Sequence, residues 1–150
     1  MADLSELSSA FPHLLSSEFK FTSEPAPVPN CIGWALYDMR QFWQPGSAGV
    51  HGYYWPPGVS TEENLESWAQ VFRLHGYQEC DGPELEPATE KVAIYADASG
   101  MPQHVARQLA TDAWTSKLGK DHDIEHATLD ALAGGDYGAV ALIMKRPRKA

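Results

Sequence analysis

The chain has 150 residues, of which 43% are hydrophobic, as expected for one folded domain. Its net charge of -9 repels phosphate backbones and therefore argues against a nucleic-acid partner. The longest apolar run, residues 139–144, is far shorter than the ~20 residues of a membrane span, so no membrane partner is expected.

The organisation predicted is a single domain over residues 1–150, with residues 1–29 as an extended lead-in that contains a short helix. Residues 145–150 are expected to form a solvated basic tail. No basic and apolar signal segment opens the chain, and two cysteines are too few for a disulfide framework. These features predict a cytoplasmic protein, or one exported by a route that needs no signal peptide.

In chain order, the first half predicts helices. Residues 3–9 suit a short helix, and the three prolines within 23–30 require an extended segment. Asn30 is then the expected N-cap of a helix that begins at Cys31. Residues 44–60 read as a loop, and Ser60 with Glu63 forms a capping box for a helix over 61–75.

The second half predicts strands, because the apolar spacing changes to every second residue. Residues 78–90 are expected to be an acidic loop, and residues 127–133 a short helix. The predicted strands are 91–95, 103–109, 113–118 and 137–144. Helices followed by strands indicate an α+β fold in which N-terminal helices pack on an antiparallel sheet.

Cys31 is the candidate nucleophile because it lies in the first turn of its helix. Unpaired backbone N–H groups and the helix dipole favour an anion there, which would lower the thiol pKa and yield a reactive thiolate. The competing interpretation is that Cys31 packs in the core as a small hydrophobic residue. Both interpretations stay open at this stage.

A thiolate needs a proton partner, and His104 on a predicted strand is the best candidate. A histidine in a strand can equally be a buried or surface residue with no catalytic part. The residue that would orient the imidazole is left undecided among several polar side chains: Ser116 or Thr115, then Asp121, Asp123 or Glu125, and Glu90.

Aromatic residues crowd the segment after Cys31 and suggest a groove for a peptide or glycan. The oxyanion would be bound by the Cys31 backbone N–H and by Asn30. His122 and His126, four residues apart, would face one side of a helix, but the H-E-x-x-H pattern of zinc sites is missing and no metal or cofactor is expected. The residues expected to contact substrate are Asn30, Trp34, Trp43, Tyr54 and Trp55.

Two resemblances follow from these motifs. The run Asn-Cys-Ile-Gly-Trp-Ala at 30–35, followed by Val-Ala-Ile-Tyr at 92–95 and His104, resembles the papain-like cysteine hydrolases of the NlpC/P60 and CHAP type. In those families the histidine usually precedes the apolar strand. The sequence also resembles an uncharacterised bacterial family with N-C-I-x-W-A, W-T-S-K-L-G and D-I-E-H motifs, here at 30–35, 114–119 and 123–126.

The papain-like resemblance implies a papain-like organisation and a thiol-dependent amide hydrolase or deamidase. Its substrate would be a protein, peptide or peptidoglycan-like amide, and a bacterial effector or toxin of this kind would have a cognate inhibitor or immunity protein. The alternative is a non-catalytic module that binds a partner protein through the aromatic loop 51–58.

Overall fold

The computed structural model describes residues 4–23, 29–46, 50–118 and 122–148. Within these ranges seven strands form one antiparallel sheet in the order β1-β8-β7-β6-β5-β9-β4, and β2 pairs with β3 in a separate parallel ribbon. The helices are α1 (Leu4–Ala10), α2 (Cys31–Ala35), α3 (Leu65–Leu74) and a 3₁₀ helix (Leu129–Leu132). The strands are β1 (Phe19–Ser23), β2 (Phe42–Trp43), β3 (Tyr53–Tyr54), β4 (Gln78–Glu79), β5 (Thr89–Ala96), β6 (Pro102–Gln108), β7 (Trp114–Lys117), β8 (Asp123–His126) and β9 (Ala139–Pro147).

The sheet has a hydrophobic layer on each side. We call the side packed against α2 and α3 the α2 face; it carries Val92, Ile94, Val105 and Met144. We call the opposite side the α1 face. It packs against α1, against the segment that follows α1, and against the 3₁₀ helix. Side chains alternate between the faces along each strand, so the register assigns every sheet residue to one of them. None of the described helices is long and apolar enough to cross a membrane.

The prediction of helices packed on an antiparallel sheet is confirmed, although the helices are few and short. Helix α2 stops at Ala35 because Tyr37 adopts a left-handed backbone, with φ of 65°, which a helix cannot contain. Helix α3 begins at Leu65 rather than at residue 61. Its N-cap is Asn64, whose side chain accepts from the Ser67 N–H at 2.8 Å, so the predicted Ser60 capping box is wrong.

Several segments predicted to be irregular contain strands. The predicted loop 44–60 contains β3, and the predicted acidic loop 78–90 contains β4 and the start of β5. The expected lead-in, residues 1–29, contains β1, which pairs with β8 at the edge of the sheet. The expected basic tail begins inside β9, because that strand runs to Pro147. Lys145 and Arg146 are paired there with Glu86 at 3.3 Å and Glu90 at 3.2 Å, so acidic partners hold these cations in the sheet.

Candidate functional site

Asn30 fixes the start of α2, as predicted. Its side-chain oxygen accepts from the Gly33 N–H at 3.3 Å and from the Trp43 N–H at 3.1 Å, and its amide nitrogen donates to the Trp43 carbonyl at 2.7 Å. The amide thus joins α2 to β2 through its oxygen and one of its two N–H donors. The expected role of Asn30 as an oxyanion donor stays a prediction.

Cys31 is the first residue of α2 and has a free thiol. Its exposed fraction is 8%, whereas Ile32 and Ala35 of the same helix are completely buried. Burial raises the pKa of the thiol to about 11, and it outweighs hydrogen bonds from backbone groups at Val105, Ile32 and Cys31 and the charge of Lys117, all of which lower it. The predicted stabilisation by the helix start is therefore present, but desolvation is larger and the resting thiol is protonated at neutral pH.

His104 lies on the other side of the sheet from Cys31. It pairs with Tyr95 on the α1 face, while its neighbour Val105 points to the α2 face beside Cys31. The His104 ring stacks on Tyr137 with centroids 4.2 Å apart and planes at 4°, and it is buried. The predicted Cys31–His104 dyad is therefore wrong, because a full layer of the sheet separates the two side chains.

Ser116 also belongs to the α1 face and contacts a different histidine from the one predicted. Its hydroxyl lies 2.8 Å from Nε2 of His126, and both residues are completely buried. Ser116 therefore cannot orient the His104 ring as expected. Because His126 is in strand β8 and His122 directly precedes that strand, the two are spaced by roughly 13 Å of extended chain and do not share a helix face.

Asp123 and Glu125 lie on the α2 face, as does Lys117. The register places Lys117 directly opposite Asp123 on β7 and β8, and Thr115 opposite Glu125. Lys117 and Asp123 are almost completely buried. The Asp123 carboxylate accepts from the Thr22 hydroxyl at 2.8 Å, whereas Glu125 is part-exposed and is 3.8 Å from Lys20.

The α2 face therefore carries the Cys31 thiol, a buried cation and a buried carboxylate. Lys117 acts electrostatically on the thiol, and Asp123 lies one strand further on, opposite Lys117. Burying two opposite charges costs several kcal/mol unless geometry and hydrogen bonds compensate, so such a pair on the same face as a free cysteine is a candidate site. Sequence reasoning missed Lys117, although a lysine alternating with Trp114 and Ser116 in a strand was a usable signal.

The aromatic residues expected to line a groove are largely part of the core. Trp43 and Trp55 are each 5% exposed, and their indole N–H groups donate to the Asp38 carboxylate and to the Ser60 carbonyl, both at 2.9 Å. Trp34 is half-buried and donates to the Thr115 hydroxyl at 2.9 Å, while Tyr54 packs edge-on against Trp43. These contacts support core packing of Trp43 and Trp55, and their expected contact with substrate stays a prediction.

Comparison with known proteins places the chain in a family. Neither the curated proteins nor the solved structures contain a match to it. A family model described as a domain of unknown function, DUF7689, matches residues 20–145, a range that includes Cys31, Lys117 and Asp123. The chain therefore belongs to the DUF7689 family.

Proposed function

We propose that the chain is a thiol-dependent amide hydrolase or deamidase in which Cys31 is the nucleophile and the buried pair Lys117 and Asp123 replaces the expected histidine. The observation that carries this proposal is that all three side chains share the α2 face, with Lys117 acting on the thiol. A helix that starts at a cysteine and packs on an antiparallel sheet also supports a papain-like organisation. The far-side position of His104 is a departure from it.

The raised pKa of Cys31 makes a general base necessary. A thiol protonated at neutral pH attacks a carbonyl only if its proton is removed as the bond forms. In the proposed reaction the Cys31 proton passes to the Asp123 carboxylate through a water molecule between them, because Asp123 lies one strand beyond Lys117. Sulfur bonds to the carbonyl carbon as the proton leaves. The Lys117 ammonium stabilises the developing negative charge on sulfur and oxygen.

The remaining steps return the groups to their starting state. The C–N bond breaks, and the amine or ammonia leaves with the proton held by Asp123. Water then attacks the thioester and gives its proton to Asp123. The C–S bond breaks, the carboxylic acid product leaves, and the Cys31 sulfur takes the proton back from Asp123. These reaction steps need no cofactor. The substrate class is a protein or peptide amide.

The test measures release of ammonia and of new amino termini from a peptide library that contains exposed Gln and Asn residues. Cys31→Ala should abolish turnover, and Lys117→Met and Asp123→Asn should each reduce it at least a hundredfold, as loss of acid–base or electrostatic groups does. Circular dichroism and the thermal midpoint check the fold of each variant.

His104→Gln is the matched control, since it changes a buried polar residue on the opposite face. It should retain turnover. Full activity in Cys31→Ala, no turnover of the library by the unmodified chain, or loss of activity in a folded His104→Gln but not in Lys117→Met would each contradict the proposal.

The alternative, a protein-interaction module, keeps one supporting observation. Val50 and Tyr53 are exposed, and the Tyr53 ring lies 5.1 Å from that of Phe42. Tyr53, rather than Trp55, would then be the binding residue of loop 51–58, with Val50 and Phe42 beside it.

A further inference from the structure

A second polar cluster lies on the α2 face, beyond the C-terminal end of α2. It consists of Tyr37, Tyr77, Glu90, Arg107 and Arg146. The sheet register places both arginines on the α2 face. Arg107 pairs with Val92, and Arg146 pairs with Glu90, which is two residues before Val92 in β5. Tyr37 follows α2 and Tyr77 follows α3, so the ends of both helices bring a phenol ring over the two arginines.

Glu90 holds this cluster together. It is almost completely buried, accepts from the Tyr37 hydroxyl and is 3.2 Å from Nε of Arg146. Arg146 also donates to the His75 carbonyl at 2.8 Å and lies 4.5 Å from the centroid of the Tyr77 ring. Two guanidinium groups and one carboxylate leave a net charge of one positive unit within the cluster.

Two buried polar atoms of the cluster have no hydrogen-bond partner among the described residues, the Tyr77 hydroxyl and Nε of Arg107. Leaving such groups unpaired is unfavourable, so each calls for an acceptor. Burial, followed by the charge of Glu90, raises the pKa of Tyr77, which keeps its hydroxyl protonated and able to donate. Both atoms therefore present an N–H or O–H donor.

Tyr37 is held in a strained position over Arg107. Its φ of 65° is uncommon for a residue with a bulky side chain. The Arg107 guanidinium lies 4.0 Å from the centroid of its ring and donates to its hydroxyl at 3.0 Å. Tyr37 is 52% exposed, so the cluster reaches solvent on this side.

A cleft adjoins the other arginine. Arg146 lines a cleft of about 300 Å³ together with Gly76, Gln78, Thr89 and Lys145. The cluster thus meets solvent at Tyr37, where the cation is Arg107, and meets this cleft at Arg146.

We propose that this cluster binds a carboxylate group of a small-molecule or substrate ligand. A single negative charge matches the net charge of one positive unit, and carboxylate oxygens accept from both unpaired donors. Glu90 makes a dianionic phosphate a poorer match, because its carboxylate would repel the second charge. The site uses neither Cys31 nor Lys117 and is independent of the proposed thiol chemistry.

The probe is sodium acetate, with acetamide as its neutral counterpart of nearly the same shape. Acetate should produce a saturable shift of the Arg107 Nε–H cross-peak in a ¹H–¹⁵N NMR titration at constant ionic strength, and acetamide should not. Tyr77→Phe removes only the unpaired hydroxyl. It should fold normally and bind acetate about tenfold more weakly, as expected for one hydrogen bond to a charged group.

Tyr53→Phe, which alters an exposed tyrosine outside the cluster, is the matched control and should leave the acetate titration unchanged. Cys31→Ala should also leave it unchanged, which separates this site from the proposed thiol chemistry. An equal response to acetamide, an unaltered titration in Tyr77→Phe, or tighter binding of inorganic phosphate than of acetate would overturn the carboxylate assignment.

Discussion

Nδ1 of His126 lies 2.8 Å from the Thr128 carbonyl, while Nε2 lies 2.8 Å from the Ser116 hydroxyl. A carbonyl only accepts, so Nδ1 carries the proton and Nε2 accepts from Ser116. This arrangement satisfies the neutral ring. Burial lowers the pKa of His126 to about 4, and burial together with the nearby His126 lowers that of His104 well below its usual value.

The two histidines should make the fold sensitive to acid. The unfolded chain takes up protons near pH 6.5, whereas folded His126 does so only near pH 4. The contribution of neutral His126 to the free energy of unfolding is therefore fully present above about pH 6.5. As the pH falls toward 4, this contribution is lost, and the free energy of unfolding decreases by ~3 kcal/mol. Urea denaturation between pH 7 and 4.5 measures this loss.

A variant identifies the responsible group. Replacing His126 with Gln should reduce the slope of unfolding free energy against pH by nearly one proton, because the group with the lowered pKa is removed. An unchanged slope in a folded His126→Gln would show that His126 does not cause the acid sensitivity, which would then come from His104 or from carboxylates.

The start of α3 gives a second prediction. The Asn64 side chain accepts from the Ser67 N–H at 2.8 Å and from its hydroxyl at 2.9 Å. Asn64→Ala should lower the free energy of unfolding by about 1 kcal/mol, as loss of an N-cap does. Ser60→Ala should cost much less, because Ser60 lies before the helix and is not its cap. Equal losses in urea denaturation would contradict the assignment of the cap.

Local signals in the sequence predicted much of the fold. Alternation revealed the central strands, and Asn30 and Gly76 marked a helix start and a helix end. Strand β1 was hidden because Phe-Lys-Phe-Thr-Ser is too short to distinguish from an extended lead-in, and β8 because its polar residues look like a loop. The α3 cap was misplaced because both Ser60 and Asn64 are good caps, and only tertiary packing decides between them.

The site was harder to predict because it depends on which face each side chain takes. A one-residue change in register moves a side chain to the other side of a sheet. His104 and Val105 are adjacent in sequence, yet only Val105 faces Cys31. Desolvation was also invisible from the sequence: the helix start indicated a lowered thiol pKa, and only the burial of Cys31 shows that the net shift is upward.

Trp55 and Tyr53 should separate core packing from surface binding. Trp55 is buried and donates to the Ser60 carbonyl, so Trp55→Phe, which removes that hydrogen bond and part of the packing, should destabilise the fold by roughly 1–3 kcal/mol. Tyr53→Ser should change stability by less than about 0.5 kcal/mol, as expected at an exposed position. Thermal and urea denaturation give both values. A stable Trp55→Phe with an unchanged unfolding midpoint would return Trp55 to the list of candidate binding residues.

The thiols provide the final prediction. Cys80 is only partly buried, whereas Cys31 is buried with a pKa raised to about 11. In the folded chain at pH 8, iodoacetamide should therefore modify Cys80 and leave Cys31 almost unmodified, and Cys31 should react readily once urea unfolds the chain. Peptide mass spectrometry distinguishes the two sites.

The same experiment in a Cys80→Ser background tests the influence of Lys117 on the thiol. A positive charge favours the thiolate, so Lys117→Met should move the midpoint of Cys31 alkylation to higher pH, while Arg73→Met, at an exposed position on α3, should leave it in place. Circular dichroism at each pH restricts the comparison to folded protein. Rapid alkylation of Cys31 at pH 7 would mean that the thiolate is preformed, and Asp123 would then not be needed as its base. A shift to lower pH in Lys117→Met would mean that Lys117 does not stabilise the thiolate, contrary to its proposed role.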